Sequence, residues 1–376
     1  MTKRFLTLSL LLSSFFFFSA VNAQKVTLEN VKKITLRQSN PIKEGSEVKG
    51  YYFFYQTDKV SRKVSEFTLD IFDNNLVKLK SVVFEDDNDT RILESSFNGV
   101  DLIFMFFKDD QNILEYQVYG ADGKKKNVYT KTLTRKDKTY ITSMYRLNDS
   151  ESQFSGIYPI EGKGFISNTP SREDGDYTFS LDYFSSETKK QWSYTPNLQG
   201  KAFIADYLGT FKDVVFIEVL STSSVFDRNP DSYIIGISLQ TGKQLFMKNT
   251  ITPKVTFYPQ SLSVLNDGKA YIYGEYFNAG GNLMKDHSAG FAFWNIDEKG
   301  TVINEKYNSW SKDMSKYMNV SAEGKIDDFG YMFLHNITQM EDGSIYAVGE
   351  GYKKVLSAWG IVGQVAGVNA NSVTKM

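Results

Sequence analysis

Along most of the chain, apolar and polar side chains alternate with a period of two over short runs. Phe67-Thr68-Leu69-Asp70-Ile71, Tyr177-Thr178-Phe179-Ser180-Leu181 and Tyr271-Ile272-Tyr273-Gly274 are typical. Successive side chains of a strand point to opposite faces, so this period predicts half-buried β-strands, whereas an amphipathic helix repeats every ~3.6 residues. The runs are rich in Tyr, Phe, Ile, Val and Thr, which suit a pleated surface. Gly, Asn and Asp collect between them, where turns need positive φ. The pattern predicts an all-β protein.

A hairpin recurs: an alternating strand, a polar turn and a second strand. It occurs at Phe67 to Phe84 around Asp73-Asn74-Asn75, at Leu114 onward around Ala121-Asp122-Gly123, and at Tyr177 onward around Ser185 to Thr188. Two further copies turn at Gln240-Thr241-Gly242 and at Asp297 to Gly300. The turn centres are 49, 65, 54 and 58 residues apart. A more apolar strand, suited to burial on both faces, precedes each hairpin: Tyr51 to Tyr55, Val100 to Phe107, Gly164 to Ser167, Val214 to Val219 and Lys269 to Tyr276. Ser344 to Gly349 begins a sixth unit whose hairpin is missing. Asn266 to Glu275 and Glu341 to Glu350 share the wording of an Asp-Gly turn feeding a strand that ends Gly-Glu, the clearest internal repeat.

Units of this size with about four strands each match the blades of a β-propeller. The reading is one β-propeller-like domain over residues 24–376 with about six repeats. Its last blade is either incomplete or closed by an N-terminal strand around Lys25 to Leu36. Two β-sandwich-like domains meeting near residue 200 are the alternative. These blade residues resemble the pattern of uncharacterised secreted β-propeller-like proteins of Bacteroidetes-type bacteria. No WD dipeptide or kelch Gly-Gly signature accompanies them.

The N-terminus changes the picture of where the protein works. Lys3 and Arg4 precede an apolar stretch from Phe5 to Ala20, and Val21-Asn22-Ala23 forms a small-residue cleavage site. Residues 1–23 therefore read as a signal peptide. The stretch is broken by four serines and is shorter than the ~20 residues a spanning helix needs. The expected location is secreted or periplasmic. With no Cys in the chain there is no thiol for a lipoprotein anchor and no disulfide, so stability must come from burial. The 56 aromatic residues supply the material for such a core. After removal of the leader, 41 basic residues face 44 acidic ones, which leaves no electrostatic handle for nucleic acid.

The chemistry in the sequence is sparse. Two histidines, His287 and His335, and no cysteine cannot build a zinc centre that needs several nitrogen or sulfur ligands. No Gly-x-Ser-x-Gly elbow occurs. Gly236 to Gln244 resembles a phosphate loop but has the wrong glycine spacing and lacks Ser or Thr after Lys243. The Asp87 to Asn98 stretch places Ile92 and Asn98 where a calcium loop needs Gly and an acid. No metal ligand set and no cofactor is assigned. Carboxylate pairs Asp86-Asp87, Asp109-Asp110, Asp174 with Asp176, and Asp327-Asp328 lie in polar connections and could serve a glycosidase, which leaves no linear motif. Lys124-Lys125-Lys126 reads as a hairpin tip that protects a strand end. Trp192, Trp294, Trp310 and Trp359 read as core.

The expected function is therefore an exported, non-enzymatic binding or interaction module for a protein or glycan partner. Propeller loops converge at one end of the ring, so the long polar connections are the expected contact segments. These hold Asp227, Arg228, Asn229 and Asp231 in one loop and Asp286 and His287 in another. A carbohydrate-active hydrolase or lyase using loop carboxylates, and a structural cell-surface protein, are the alternatives.

Overall fold

The computed structural model describes residues 27–352 apart from 35–38, 45–46, 89, 148–155, 174–175, 190, 197–201, 224–229, 284–285, 327–329, 341 and 343. Residues 1–23 and Trp359 thus lie outside the described residues. The chain divides into two compact units, residues 1–88 with 121–124, and residues 89–120 with 125–376.

In the first unit, β1 (Ser39–Glu44), β2 (Glu47–Lys59), β3 (Val64–Asp73) and β4 (Lys78–Asp87) form one antiparallel meander. Alternate side chains of the middle strands make its core. Phe54, Phe67 and Phe84, one from each of three neighbouring strands, form a ladder with ring centroids 5.5 to 6.1 Å apart. Lys33, in the stretch considered for closing the last blade, bridges instead to Gln56 of β2.

The second unit repeats that meander. Sheet two is β5 (Arg91–Phe97), β6 (Asp101–Lys108), β7 (Ile113–Gly120) and β8 (Lys125–Thr132). Sheet three is β9 (Ile157–Ile160), β10 (Gly164–Glu173), β11 (Asp176–Ser185) and β12 (Gln191–Tyr194). Sheet four is β13 (Ala202–Phe211), β14 (Val214–Thr222), β15 (Asp231–Ser238) and β16 (Gln244–Asn249). Sheet five is β17 (Val255–Val264), β18 (Ala270–Asn278), β19 (Gly290–Ile296) and β20 (Val302–Ser309). Sheet six has three strands among the described residues: β21 (Lys325–Ile326), β22 (Gly330–Gln339) and β23 (Ile345–Tyr352). The fold is all-β and propeller-like in its repeated four-stranded blades.

All five expected hairpins join the third and fourth strands of their sheets, and each expected buried strand in the first five sheets is the second strand. The sixth sheet follows the Asp-Gly repeat. Asp267 Oδ1 accepts from the Lys269 N–H at 3.1 Å between β17 and β18, and Asp342 Oδ1 accepts from the Ser344 N–H at 2.9 Å between β22 and β23. β22 and β23 thus correspond to first and second strands. Both first strands also bulge at the same place, after Pro259 in β17 and after Leu334 in β22.

Consecutive blades of the second unit are fastened by a turn glycine set against an aromatic ring. Gly242 has φ +70°, and a Cβ there would lie 2.7 Å from the indole of Trp192 on the last strand of the preceding sheet. Gly300 repeats the device with φ +81° against Phe246. Only glycine meets both the positive φ and the close approach. Trp192, Trp294 and Trp310 are buried in the core, as expected.

Among the described residues, two helical elements depart from the all-β expectation: a single 3-10 turn at Met314–Lys316 and helix α1 (Arg135–Leu147) between sheets two and three. For α1 the signal is local. Its start is a capping box. Asp137 N–H donates to Thr134 Oγ1 at 3.1 Å, and Asp137 Oδ2 accepts from the Thr134 N–H at 3.0 Å. Ile141 buries its inner side, and Ser171 Oγ donates to Asp137 at 2.6 Å, tying the helix to β10.

Candidate functional site

Most buried carboxylates of this protein carry their own lysine. In the first unit Asp70 is fully buried, receives the Tyr55 hydroxyl at 2.8 Å and pairs with Lys78 at 2.8 Å. In the second unit Asp101 is fully buried and pairs with Lys126 at 2.6 Å. Lys131 meets Asp182 at 2.6 Å, and Lys108 meets Glu115 at 3.0 Å. The three lysines expected to protect a hairpin tip therefore do different work. Lys126 neutralises a buried acid, Lys125 lies over the Tyr119 ring at 5.6 Å, and Lys124 pairs with Asp122 in its own turn.

Sheet four breaks this pattern. Asp206 of β13 and Glu218 of β14 are direct cross-strand partners. Opposite residues of an antiparallel pair share one face, with Cβ atoms about 5 Å apart. Glu218 is 2% exposed and accepts from Ser232 Oγ at 3.2 Å. Neither acid has a lysine, arginine or histidine partner among the described residues. Burial pushes the Asp206 carboxyl up to about 6. Burial, then the charge of Asp206, pushes Glu218 well above the carboxylate range, with the Ser232 hydroxyl opposing. Two carboxylates this close release protons in sequence, so the pair carries one charge over a wide pH range and Glu218 keeps its proton.

Asp206 is recessed but not sealed. It, Tyr158 and Tyr207 all retain intermediate exposure. Yet burial perturbs all three, raising the Tyr207 hydroxyl to about 12 and the Tyr158 hydroxyl well above its ordinary value. Tyr158 and Tyr207 stack with centroids 4.6 Å apart and planes at 26°, and Tyr207 shares a hydrogen bond with Thr210 at 2.8 Å. The charges of Asp206 and Glu94 also act on Tyr158. Glu94 in turn accepts the backbone N–H groups of Gly156 at 2.8 Å and Ile157 at 3.3 Å. Where β9 and β10 meet the β13 edge of sheet four lie two stacked rings, a partly exposed acid, and the Asn168 amide donating to the Ala205 carbonyl at 2.7 Å. Such a surface can stack on a planar or sugar face and accept hydrogen bonds from hydroxyls or amines.

Of the expected site residues, Asp227, Arg228 and Asn229 lie outside the described residues. Asp231 opens β15 opposite Ser221, at intermediate exposure. Asp286 and His287 are exposed in the β18–β19 connection. The Asp286 N–H donates to the Asn282 carbonyl at 2.9 Å and its Oδ2 accepts from the Asn282 N–H at 2.7 Å, which closes the loop on itself. His287 lies parallel to Tyr331 with centroids 6.3 Å apart and its Nε2 is 3.9 Å from Glu323. Ser288, next in the chain, donates to Glu275 of β18 at 2.6 Å. Asp286 and His287 thus share one loop, and Asp231 begins the strand after the other. The sheet register sets the Asp206–Glu218 pair four residues inside the Ala202–Thr222 end, where the second of these loops begins. That is about 13 Å along the strands. The sequence reading missed Asp206 and Glu218. Their signal was an acid inside an otherwise apolar strand, as in Val214-Val215-Phe216-Ile217-Glu218-Val219.

Comparison with known proteins gives a family but no activity. No curated protein matches the chain. Among solved structures, cobalt-substituted ACO of Synechocystis is 10% identical over 72% of this chain, with a TM-score of 0.32; the match spans 64% of the ACO chain. The β-propeller domain of the Trilobed protease from Pyrococcus furiosus, described as having an open velcro topology, is 12% identical over 84% of this chain and 82% of its own, with a TM-score of 0.40. At these scores neither likeness bears on function. Residues 1–376 match one family model throughout, and the chain belongs to that family of unknown function, DUF6770.

Proposed function

Starting from a member of a family of unknown function, we propose that the protein is an exported, non-enzymatic binding module whose ligand is a protein segment or a glycan. The observation that carries this reading is the recessed but water-accessible group of Asp206 and the stacked Tyr158–Tyr207 pair. Rigid aromatic faces beside a hydrogen-bond acceptor supply contact area at low entropic cost. The connections holding Asp227, Arg228, Asn229 and Asp231, and Asp286 and His287, are the flanking contact segments in this reading. Export rests on the leader-like residues 1–23.

The hydrolase reading is weaker on geometric grounds. Two acids must both reach the substrate, and Glu218, at 2% exposed, does not. Asp109, in a turn, is paired with Lys138. The test is glycan-array and pull-down binding with residues 24–376, run with calcium and with chelator, beside Asp206→Asn and Tyr207→Ala variants. Saturable binding that both variants weaken by tenfold or more supports the module at this site. Binding that neither variant changes moves the site elsewhere, and glycan cleavage by the wild type overturns the non-enzymatic reading.

A further inference from the structure

Sheet four handles buried acid differently from the other sheets, and the strands around it carry almost no basic residue. Strands β9, β11, β13, β14, β15, β17 and β18 contain no Lys, Arg or His, and β10 contains Arg172 alone, at the end of the strand paired with Tyr177. Lys201 and Arg228, at either end of the β13–β14 pair, lie outside the described residues. Apart from Arg172, the ionisable groups on the elements packed around Asp206 and Glu218 are acids or phenols. They include Tyr158 on β9, Asp182 and Tyr183 on β11, Tyr207 on β13, Asp231 and Tyr233 on β15, Tyr258 on β17, and beyond them Glu94 on β5 and Glu275 on β18. Asp182 has its own Lys131 on sheet two, and Glu94 is held by two backbone N–H groups. Among the described residues Asp206 has no such partner, and a proton is the counter-charge they leave it.

The pair also sits where a charge matters mechanically. β13 is an edge strand, hydrogen-bonded to β14 alone, and its register shifts between Tyr207 and Gly209. Besides the apolar packing of Phe203 and Ala205, it is attached to sheet three by the Asn168 hydrogen bond to the Ala205 carbonyl and the Tyr158–Tyr207 stack, on the two residues flanking Asp206. Edge strands open more readily than central ones, and opening would hydrate the carboxylate. We propose that the Asp206–Glu218 pair is a proton-operated latch: with both acids protonated β13 is held against sheet three, and ionisation of Asp206 loosens it, so that the inner edge of sheet four opens as pH rises. The burial-driven rise of the Asp206 carboxyl to about 6 sets the window. The closed strand binds more protons than the open one, so closure is favoured on the acid side and is lost as pH climbs through that value.

The test is amide hydrogen exchange on the free full chain between pH 5 and pH 7.5, read in peptides spanning 202–211 and corrected for intrinsic exchange. The expected result is an about tenfold rise in opening of β13 across that window, from the difference in proton affinity between closed and open forms. Strand β6, the second strand of sheet two, whose Asp101 is held by Lys126, should show no such rise. Asp206→Asn should remove the pH dependence from β13. A β13 opening that is flat with pH in the wild type, or that keeps its slope in Asp206→Asn, overturns the latch. Should that variant not fold, carboxyl ¹³C titration of the wild type decides: a midpoint near 6 for Asp206 supports the proposal and one near 4 overturns it.

Discussion

Sheets two and four have the same meander and opposite electrostatics. In sheet two, Asp101 is sealed and its charge is met by Lys126 from the fourth strand of the same sheet. In sheet four, Asp206 and Glu218 face each other across the first two strands with no cation beside them among the described residues. A buried acid with its own lysine has an opposite charge in contact, which offsets part of the cost of burying it. An unpaired acid pair keeps a proton and becomes a liability as pH rises. The first arrangement fixes a charge inside a blade, and the second leaves a partly exposed acid on an edge strand.

The largest expected effect breaks the locked side of this comparison. Lys126→Met leaves the Asp101 carboxylate buried without its cation and should cost about 3 to 5 kcal/mol in urea unfolding at pH 7. Asp101→Asn with Lys126→Met should recover most of that loss, because the sealed charge is gone. Next comes the blade fastening itself. Gly242→Ala places a Cβ against Trp192 at positive φ and should cost about 1 to 3 kcal/mol, read as a shift of the urea midpoint at constant slope.

On the unlocked side the sign reverses. Asp206→Asn should stabilise the protein at pH 7.5 by about 1 to 2 kcal/mol, less than the full shift implies because the group keeps some exposure. The same substitution should change little at pH 4, where both acids are protonated in the folded chain. The sign follows from the folded carboxyl lying above its unfolded value of 3.8: stability is greatest below that value and is lost as pH rises through about 6. The smallest effect belongs to an exposed pair. Lys212→Ala removes the partner of Glu298 at 2.8 Å and should leave the unfolding midpoint unmoved, since surface pairs contribute little.

How much of this was legible in the sequence follows from which interactions are local. The hairpin turns were readable because an Asp or Gly in a turn acts on residues two positions away, as Asp122 and Asp297 do through the N–H groups of Lys124 and Lys299. The second strands were readable because burial on both faces leaves an unbroken apolar run. First strands were not: in β13 the bulge at Leu208 shifts the register, so Ala202 to Tyr207 and Gly209 to Phe211 keep no single period. Helix α1 carries a capping box at Thr134 and Asp137 and a short apolar stripe at Tyr140, Ile141, Met144 and Tyr145, a local signal that the period-two reading passed over. The Asp206–Glu218 pair depends on strand register across a hairpin, and the pairing of Asp182 with Lys131 joins residues 51 positions apart on different sheets. No local pattern encodes either. The predicted contact loops were chosen for polarity and length. The inner-edge acid and rings escaped because each looks, by itself, like one more strand residue.

The central claim is that sheet four carries buried acid neutralised by protons and not by lysine. The most direct measurement is urea unfolding at pH 5 and pH 7.5 of the wild type beside the Asp206→Asn, Glu218→Gln double variant. The wild type should lose stability between the two pH values and the double variant should lose much less, becoming the more stable protein at pH 7.5. Equal losses in both, or a double variant weaker than wild type at pH 7.5, would contradict the account.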